Sequence, residues 1–450
     1  MRNLKPLVDL PRYSKKSLSV CLPDKVRDWS HGNSQSMVLD SGNLDKLYQH
    51  VRHFNKKKAW RWPKRQYLFF SDLHGDADAF VDSLLASGGV EKTGKKLTDF
   101  VLTKPGKKAL FIIGGDCFDK GPSSLTLLRT IRHLIDVGGD VEILAGNHDV
   151  RVLLGMESVG KKPDIYNEHF FIRTGEKIVP LLKEIVEQYI DGHKQHGLPS
   201  RKLARQKLFP RADWFERFPE LAEPYLLPEQ INREMQRIRR KLDRFEKVCE
   251  KHGLDIAQVC AATQKWKQLF LEPDGEFYWF YQRMRLALQA GSLLFVHAGL
   301  DNVSARMLHK QGVDHLNKAF RKALHHKPFN FYYGPLCNMI RTKYREVDHP
   351  LTAHGTRHIR RAGITAVVHG HRNLYHGQRI ALRKGLLSFE CDVTLDKNSR
   401  HKEGLKGCSA GVTIIEPKGY ILGISADYPY AKFFHPELTL KQIHKQLKKR

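Results

Sequence analysis

Leu110-Phe111-Ile112-Ile113-Gly114-Gly115-Asp116-Cys117-Phe118-Asp119-Lys120-Gly121 is the stretch that decides how this chain folds. Four apolar residues are stopped by two glycines, and carboxylates follow at once. A short apolar run bounded by a glycine-rich turn reads as a buried strand. The pattern recurs around it. Tyr67-Leu68-Phe69-Phe70 leads into Ser71-Asp72-Leu73-His74-Gly75-Asp76, and Val141-Glu142-Ile143-Leu144 into Ala145-Gly146-Asn147-His148-Asp149. Further on, Leu293-Leu294-Phe295-Val296 leads into His297-Ala298-Gly299-Leu300, and Ala366-Val367-Val368 into His369-Gly370-His371-Arg372-Asn373. In open α/β sheets, ligand sites gather just past the carboxyl ends of the strands. Asp, His and Asn residues from distant segments therefore converge on one rim.

The first three runs alternate with helical stretches. Ala77 to Leu85 reads as a crossover helix. A second is capped by Ser123-Ser124, carries Leu125, Leu128, Ile131, Leu134 and Ile135 on one face, and ends at Gly138-Gly139. This is a βαβαβ unit.

These five ordered motifs resemble those of the calcineurin-like metallophosphoesterases, and within them the phosphoprotein-phosphatase branch. The resemblance covers Tyr67 to Met156 and Gly291 to Ile424 and leaves the middle and the ends uncovered. It implies a four-layer α-β-β-α sandwich with a large helical insertion. It also implies two divalent metals (Mn, Fe or Zn) sharing Asp116, with Asp72 and His74 on the first and Asn147, His297 and His371 on the second. A bridging hydroxide would attack phosphorus, His148 would protonate the leaving oxygen, and Asp119 would hold the His148 imidazole. N and O ligands without Cys do not choose among the metals. Two divalent ions, Asp72, Asp116 and a hydroxide sum to about +1, which attracts a phosphate dianion; the ions also lower the pKa of water to about 7.

The sequence departs from the family pattern in three places. Lys120 stands where the phosphatases carry Arg, which keeps the charge but loses the bidentate fork. Asn373 stands where many phosphodiesterases of the superfamily carry a second histidine, which the phosphatase branch also lacks. Ser71 replaces a usual glycine and changes no ligand. Arg341, in Pro335-Leu336-Cys337-Asn338-Met339-Ile340-Arg341, resembles a stretch of bacterial-type phosphatases and joins Lys120 as a candidate phosphate-binding cation; Arg151 and Arg372 are lesser candidates. His369 reads as a supporting residue.

On this reading the chain comprises a basic N-terminal arm (1–60), the first half of the core (61–156), a helical insertion (157–290), the second half of the core (291–425) and a basic C-terminal tail (426–450). In the insertion, Ile231, Met235, Ile238, Leu242, Phe245 and Val248 form the seam of a helix from Pro228 to Glu250, with Arg and Lys on its other faces. A second helix, Asp255 to Phe270, is expected to fold back on it as a hairpin. The insertion reads either as a cap on the core or as a binding arm for a partner or nucleic acid. The aromatic run Tyr278 to Tyr281 reads as packing rather than base stacking, because basic residues do not alternate with it. In the second half, Thr356 to Ala362 reads as a helix, Gly385 to Val393 and Gly411 to Leu422 as β, and Asp396 to Gly407 as a polar loop.

The chain has 450 residues, 41% of them hydrophobic, and a formal charge of +28 from 76 Lys+Arg against 48 Asp+Glu. That charge concerns partners rather than fold. It favours anionic ones and leaves nucleic acid open, although the basic residues are spread widely, with local runs at Lys56-Lys57-Lys58, Arg237 to Lys241 and Lys445 to Arg450. The seven cysteines lie far apart, without zinc or redox spacing, which points to reduced thiols and a cytoplasmic location. No run has the length of a transmembrane segment or the look of a signal peptide. Oligomeric state is not legible. The expected activity is a metal-dependent phosphomonoesterase acting on phosphorylated Ser/Thr or Tyr in a protein. The rivals are a dinucleoside-polyphosphate, nucleotide or nucleic-acid phosphohydrolase, and a non-catalytic scaffold that binds partners through the insertion.

Overall fold

The computed structural model describes residues 8, 10–11, 18–31, 36–39, 44–54, 60–190 and 198–448. The runs Lys56-Lys57-Lys58 and Lys449-Arg450 lie outside them. Two large sheets dominate. The first has eight strands in the order Val26–Asp28, Ala431–Phe434, Tyr420–Ser425, Gly411–Glu416, Tyr67–Phe70, Leu110–Ile113, Asp140–Leu144 and Met284–Arg285. The second has six: Met37–Leu39, Arg379–Arg383, Leu386–Glu390, Ala366–His369, Leu293–Val296 and Ala287–Ala290.

Alternation along each strand builds the layers. In Tyr67–Phe70, Phe69 points between the sheets, where it joins Leu110, Ile112 and Leu144 against Leu293, Phe295, Val368, Leu387 and Phe389. Leu68 and Phe70 point outward and pack with Phe80, Leu84, Leu125 and Leu128 of the crossover helices Ala77–Ala86 and Ser124–Asp136. On the far side, Leu294, Val296 and Val367 face Leu308 and Ile359 of the helices Asn302–His326 and Ala353–Arg361. The result is helix, sheet, sheet, helix. Asp76 caps the first crossover helix by accepting from Ala79 N, and Ser123 caps the second through Thr126 N.

Tyr67–Phe70, Leu110–Ile113 and Asp140–Leu144 run parallel, with Leu68 opposite Phe111 and Phe111 opposite Val141. Leu293–Val296 and Ala366–His369 run parallel in the other sheet. Parallel strands end at the same edge, so the five motif loops emerge together.

The insertion is helical. Its longest helix, Pro228–Lys251, buries Ile231, Ile238 and Phe245 of the expected seam, half-buries Met235, Leu242 and Val248, buries Cys249 beside them, and exposes Arg233, Arg239, Arg240 and Arg244. Ile256–Leu271 follows, capped by Asp255. Rather than lying along the first as a hairpin, it packs mainly on Val179–Tyr189 and Arg201–Leu208. The reason is its own apolar face: Val259, Thr263, Trp266 and Phe270 are buried. Trp266 and Phe270 extend into a cluster with Phe280, Tyr281 and Phe118, so the aromatic run is packed against a motif loop. A buried carboxylate ties the insertion together. Glu234 accepts from Arg173, from Arg237 at 2.6 Å and from the Tyr333 hydroxyl at 3.3 Å.

Outside the motif regions, Gly411 to Leu422 resolves into two antiparallel strands that turn at Gly419. The segment read as a polar loop holds a short helix, Lys397–Lys402, capped by Asp396. Described residues toward either end carry regular structure: Val26–Asp28 pairs with Ala431–Phe434, and Pro436–Lys448 is a helix.

Candidate active site

Asp72 and His74 follow the first strand with left-handed backbone, φ 58° and 44°; Asp116, Asp119, Lys120 and His371 share that conformation at φ 58°, 67°, 66° and 65°. For residues other than glycine this costs free energy and persists only where surrounding structure enforces it. Backbone bonds do so here. Asp72 N donates to Gly115 O at 3.1 Å and His74 N to Asp116 O at 2.8 Å, which locks the first two loops side by side. Asp149 holds the next pair: its carboxylate accepts from the backbone NH groups of Asp116 (2.8 Å), Cys117 (2.7 Å) and Gly146 (3.0 Å). Asp116 Oδ1 in turn accepts from His148 N at 2.8 Å. The second sheet is tied in through His371 N, which donates to Asp72 Oδ2 at 2.9 Å.

Each histidine is fixed by one ring nitrogen and turns the other inward. His74 Nδ1 donates to Phe118 O (3.0 Å), His297 Nδ1 to Gly114 O (2.8 Å) and His371 Nε2 to Arg341 O (3.0 Å). A carbonyl can only accept, so these bonds set the tautomers. Second-sphere bonds of this kind commonly orient metal-binding imidazoles. Around Asp116 Oδ2 stand His297 Nε2 at 3.4 Å, His74 Nε2 at 3.8 Å and His148 Nε2 at 3.9 Å. Among the described residues, two side-chain groups have geometry able to hold a metal ion: Asp72, His74 and Asp116, and Asp116, His297 and His371. Asp116 belongs to both.

Asn147 joins the second group. Its inner amide atom lies 2.8 Å from His371 Nδ1 and 3.4 Å from His297 Nε2. With oxygen in that place, Asn147 Oδ1 and His371 Nδ1 face one another as two acceptors with no proton to share. With nitrogen there, the amide bonds His371 Nδ1 and Ile340 O. A cation held by these side chains would reverse that preference, since it would satisfy the amide oxygen and the imidazoles together.

The charges agree. Burial raises Asp72, and burial together with Asp72 holds Asp392 well above the usual carboxylate range. Burial and the Asp116 charge lift Asp149 to about 7. Carboxylates crowded into a dry site repel one another unless positive charge joins them. Burial alone would lower His297, but Asp116 and then Asp72 carry it up to about 10. His297 Nε2 thus shares a proton with Asp116 or yields it to a cation. Burial, with Lys120 nearby, keeps His74 well below its normal range, and burial with His297 does the same for His371. Neutral imidazoles and ionised carboxylates are the forms that bind metal. The donor set fits divalent ions.

Beside this cluster, His148 Nδ1 donates to Asp119 Oδ2 at 2.7 Å. The same oxygen accepts from Arg151 Nη2 at 2.8 Å. Burial works to raise Asp119, but His148 and Arg151 outweigh it and keep it ionised. Burial and then Arg151 push His148 down to about 4. Lys120 Nζ lies 2.7 Å from His74 Nε2. Arg341 reaches the site through its carbonyl; its guanidinium carbon sits 5.6 Å from the Tyr332 ring centroid. Arg372 lies by Glu390, at 3.5 Å. His369 Nδ1 donates to Gly370 O.

Asp149 and Asp392 were not singled out from the sequence. Asp149 stood inside a quoted motif, but its task, holding backbone NH groups of another loop, leaves no local mark. Arg151 stood among the lesser candidates, although it bonds Asp119 directly.

Residues 66–257 match the family model described as calcineurin-like phosphoesterase. The chain thus carries a calcineurin-like phosphoesterase domain, and the class this fold and domain define is the metal-dependent phosphoric ester hydrolases. Among solved structures, a cold-active protein-tyrosine phosphatase of a psychrophilic Shewanella species is similar at 12% identity and TM-score 0.39, covering 92% of this chain and 88% of that one. A protein serine/threonine phosphatase from Saccharomyces cerevisiae is similar at 10% identity and TM-score 0.35, covering 83% of each. No curated protein sequence matches. Among the described residues no helix is long and apolar enough to cross a membrane.

Proposed function

We propose that this chain is a phosphomonoesterase with a dinuclear metal centre, acting on a phosphorylated Ser/Thr or Tyr side chain. The observation that carries the reading is Asp116: one carboxylate common to two ligand groups, with His148 Nε2 3.9 Å from its Oδ2. Asp72, His74 and Asp116 would hold one ion, and Asp116, Asn147, His297 and His371 the other. When bound, such ions supply positive charge to the phosphate oxygens and make water a nucleophile at neutral pH.

The protein's own part is positioning and proton transfer. Asp119 holds His148 through Nδ1–H, which leaves Nε2 free to act on a leaving oxygen. A general acid must carry a proton there. His148 is neutral at pH 7 as it stands, since burial and Arg151 hold it near 4. An arriving phosphate dianion favours the protonated ring, so His148 would take up a proton from solvent as the substrate binds. Lys120 is the cation nearest the ligand group, through His74, and is the first candidate to grip a phosphate oxygen; Arg341 is the second.

The test is hydrolysis of an aryl phosphate and of phosphopeptides by purified protein with Mn²⁺. Metal-dependent release of phosphate, abolished by Asp116→Asn, supports the reading. Absence of turnover on every phosphoester leaves the non-catalytic scaffold in its place.

A further inference from the structure

Next to the His148–Asp119 pair lies a cavity of about 320 Å³, lined by Arg151, Arg173, Lys177, Arg240, Lys241 and Arg244 among others. It is the space between the basic helix Pro228–Lys251 and the turn at Thr174, Gly175 and Glu176. Its basic side chains outnumber its carboxylates. Glu176 is the acidic residue in the lining, and Glu234 and Asp119 stand behind the wall, bound to Arg173, Arg237 and Arg151. Among the described residues, Lys177, Arg240 and Arg244 have no carboxylate partner. Arg240 and Arg244 are one helical turn apart, so both present their guanidinium groups to the same side.

Like charges gathered in a recess repel one another, and burial with Arg173 and Arg151 nearby drives Lys241 down to about 6. The fold maintains this arrangement by enclosing Lys241 Nζ against Arg173 O. A cluster held this way gains free energy when an anion enters. Arginine forks suit phosphate oxygens, which they can meet in pairs. The cavity joins the hydrolytic site through Arg151, whose Nη2 stands 2.8 Å from Asp119 Oδ2 and 2.7 Å from His148 Nδ1. Lys177 faces the same boundary, close enough to feel Arg151, Lys120, Asp119 and Asp116.

From this juxtaposition we infer that the insertion builds a subsite for a second phosphate group, and that the substrate carries at least two: one to be cleaved beside His148, another held by Lys177, Arg240 and Arg244. The inference rests on the phosphatase reading of the neighbouring site. It supplies what that reading lacks, a reason for the basic face of the insertion helix.

The test compares wild type with the double variant Arg240→Ser, Arg244→Ser, both exposed positions whose replacement leaves the buried seam intact. Inorganic tripolyphosphate and orthophosphate are used as inhibitors of p-nitrophenyl phosphate hydrolysis. Losing two charge-assisted contacts should close most of a gap of about tenfold or more between the two inhibitors, while hydrolysis of the monophosphate itself stays within about twofold of wild type. Removal of metal by tripolyphosphate affects both proteins alike, so the variant is its own control. A gap that persists in the variant, or none in wild type, overturns the subsite. If wild type fails to hydrolyse p-nitrophenyl phosphate at all, the phosphatase reading falls; calorimetric titration of tripolyphosphate into both proteins still decides the subsite, by binding to wild type and weakened binding to the variant. Singly and doubly phosphorylated peptides, against nucleoside mono- and triphosphates, then show which source of the second phosphate gains from the pocket. Binding of single-stranded RNA without any preference for tripolyphosphate over orthophosphate would instead mark a nucleic-acid groove and count against the subsite.

Discussion

His148 and Asp119 are joined by a buried bond of 2.7 Å between Nδ1 and Oδ2, which leaves His148 Nε2 turned toward Asp116. If Nε2 delivers the proton to the leaving oxygen, the need for it depends on how basic that oxygen is. His148→Ala should lower kcat by about 10²–10⁴ on phenyl phosphate, and by much less on a dinitrophenyl ester, whose leaving group needs no proton. Asp119→Asn should show the same trend with a smaller loss. An equal loss on both esters would remove His148 from the acid role.

Gly146 has no room for a side chain. A Cβ there would stand 2.1 Å from Asp116 N and 2.3 Å from Asp116 Oδ1. Gly146→Ala should therefore move the carboxylate shared by both candidate metal groups. We expect a loss of bound metal and more than about a tenfold fall in kcat, with a stability cost of about 1–3 kcal/mol as for other overpacked sites. Full metal content and activity in the variant would show that Asp116 need not stand where it does.

Glu234 carries a pH signature. Burial would raise its carboxyl, but Arg173 and Arg237 outweigh burial and bring it down to about 2. A carboxyl depressed by folding gives stability that is complete above its unfolded value, near 4.5, and is lost as pH falls toward 2. Glu234→Gln leaves Arg173 buried with no countercharge, and should cost about 3–5 kcal/mol at pH 7. Urea unfolding of both proteins should show this difference shrinking between pH 4.5 and pH 2. A difference that does not change with pH would mean that packing, not charge, is what Glu234 contributes.

Much of the site could be read because its information is local. A short apolar run, a stop and a ligand residue fit within one loop, and Ser123 announces the helix that follows. What could not be read depends on other loops. Arg341 meets His371 through its carbonyl, and a sequence does not say whether a residue acts by main chain or side chain. Asp149 clamps the NH groups of Asp116 and Cys117, a role set by tertiary structure. The helix Ile256–Leu271 had no partner written in its pattern, because several apolar faces in the insertion could have received it. The short strands Val26–Asp28 and Met37–Leu39 lack the length for a period to show.

The proposed reaction requires two metal ions that share Asp116. Titration of metal-free protein with Mn²⁺, following both bound metal by elemental analysis and phosphate release from an aryl ester, measures this. Turnover should be absent without metal and saturate as two ions bind per chain, and Asp116→Asn should bind fewer. Undiminished turnover in protein stripped of metal, or two tightly bound ions that persist in Asp116→Asn, would contradict it.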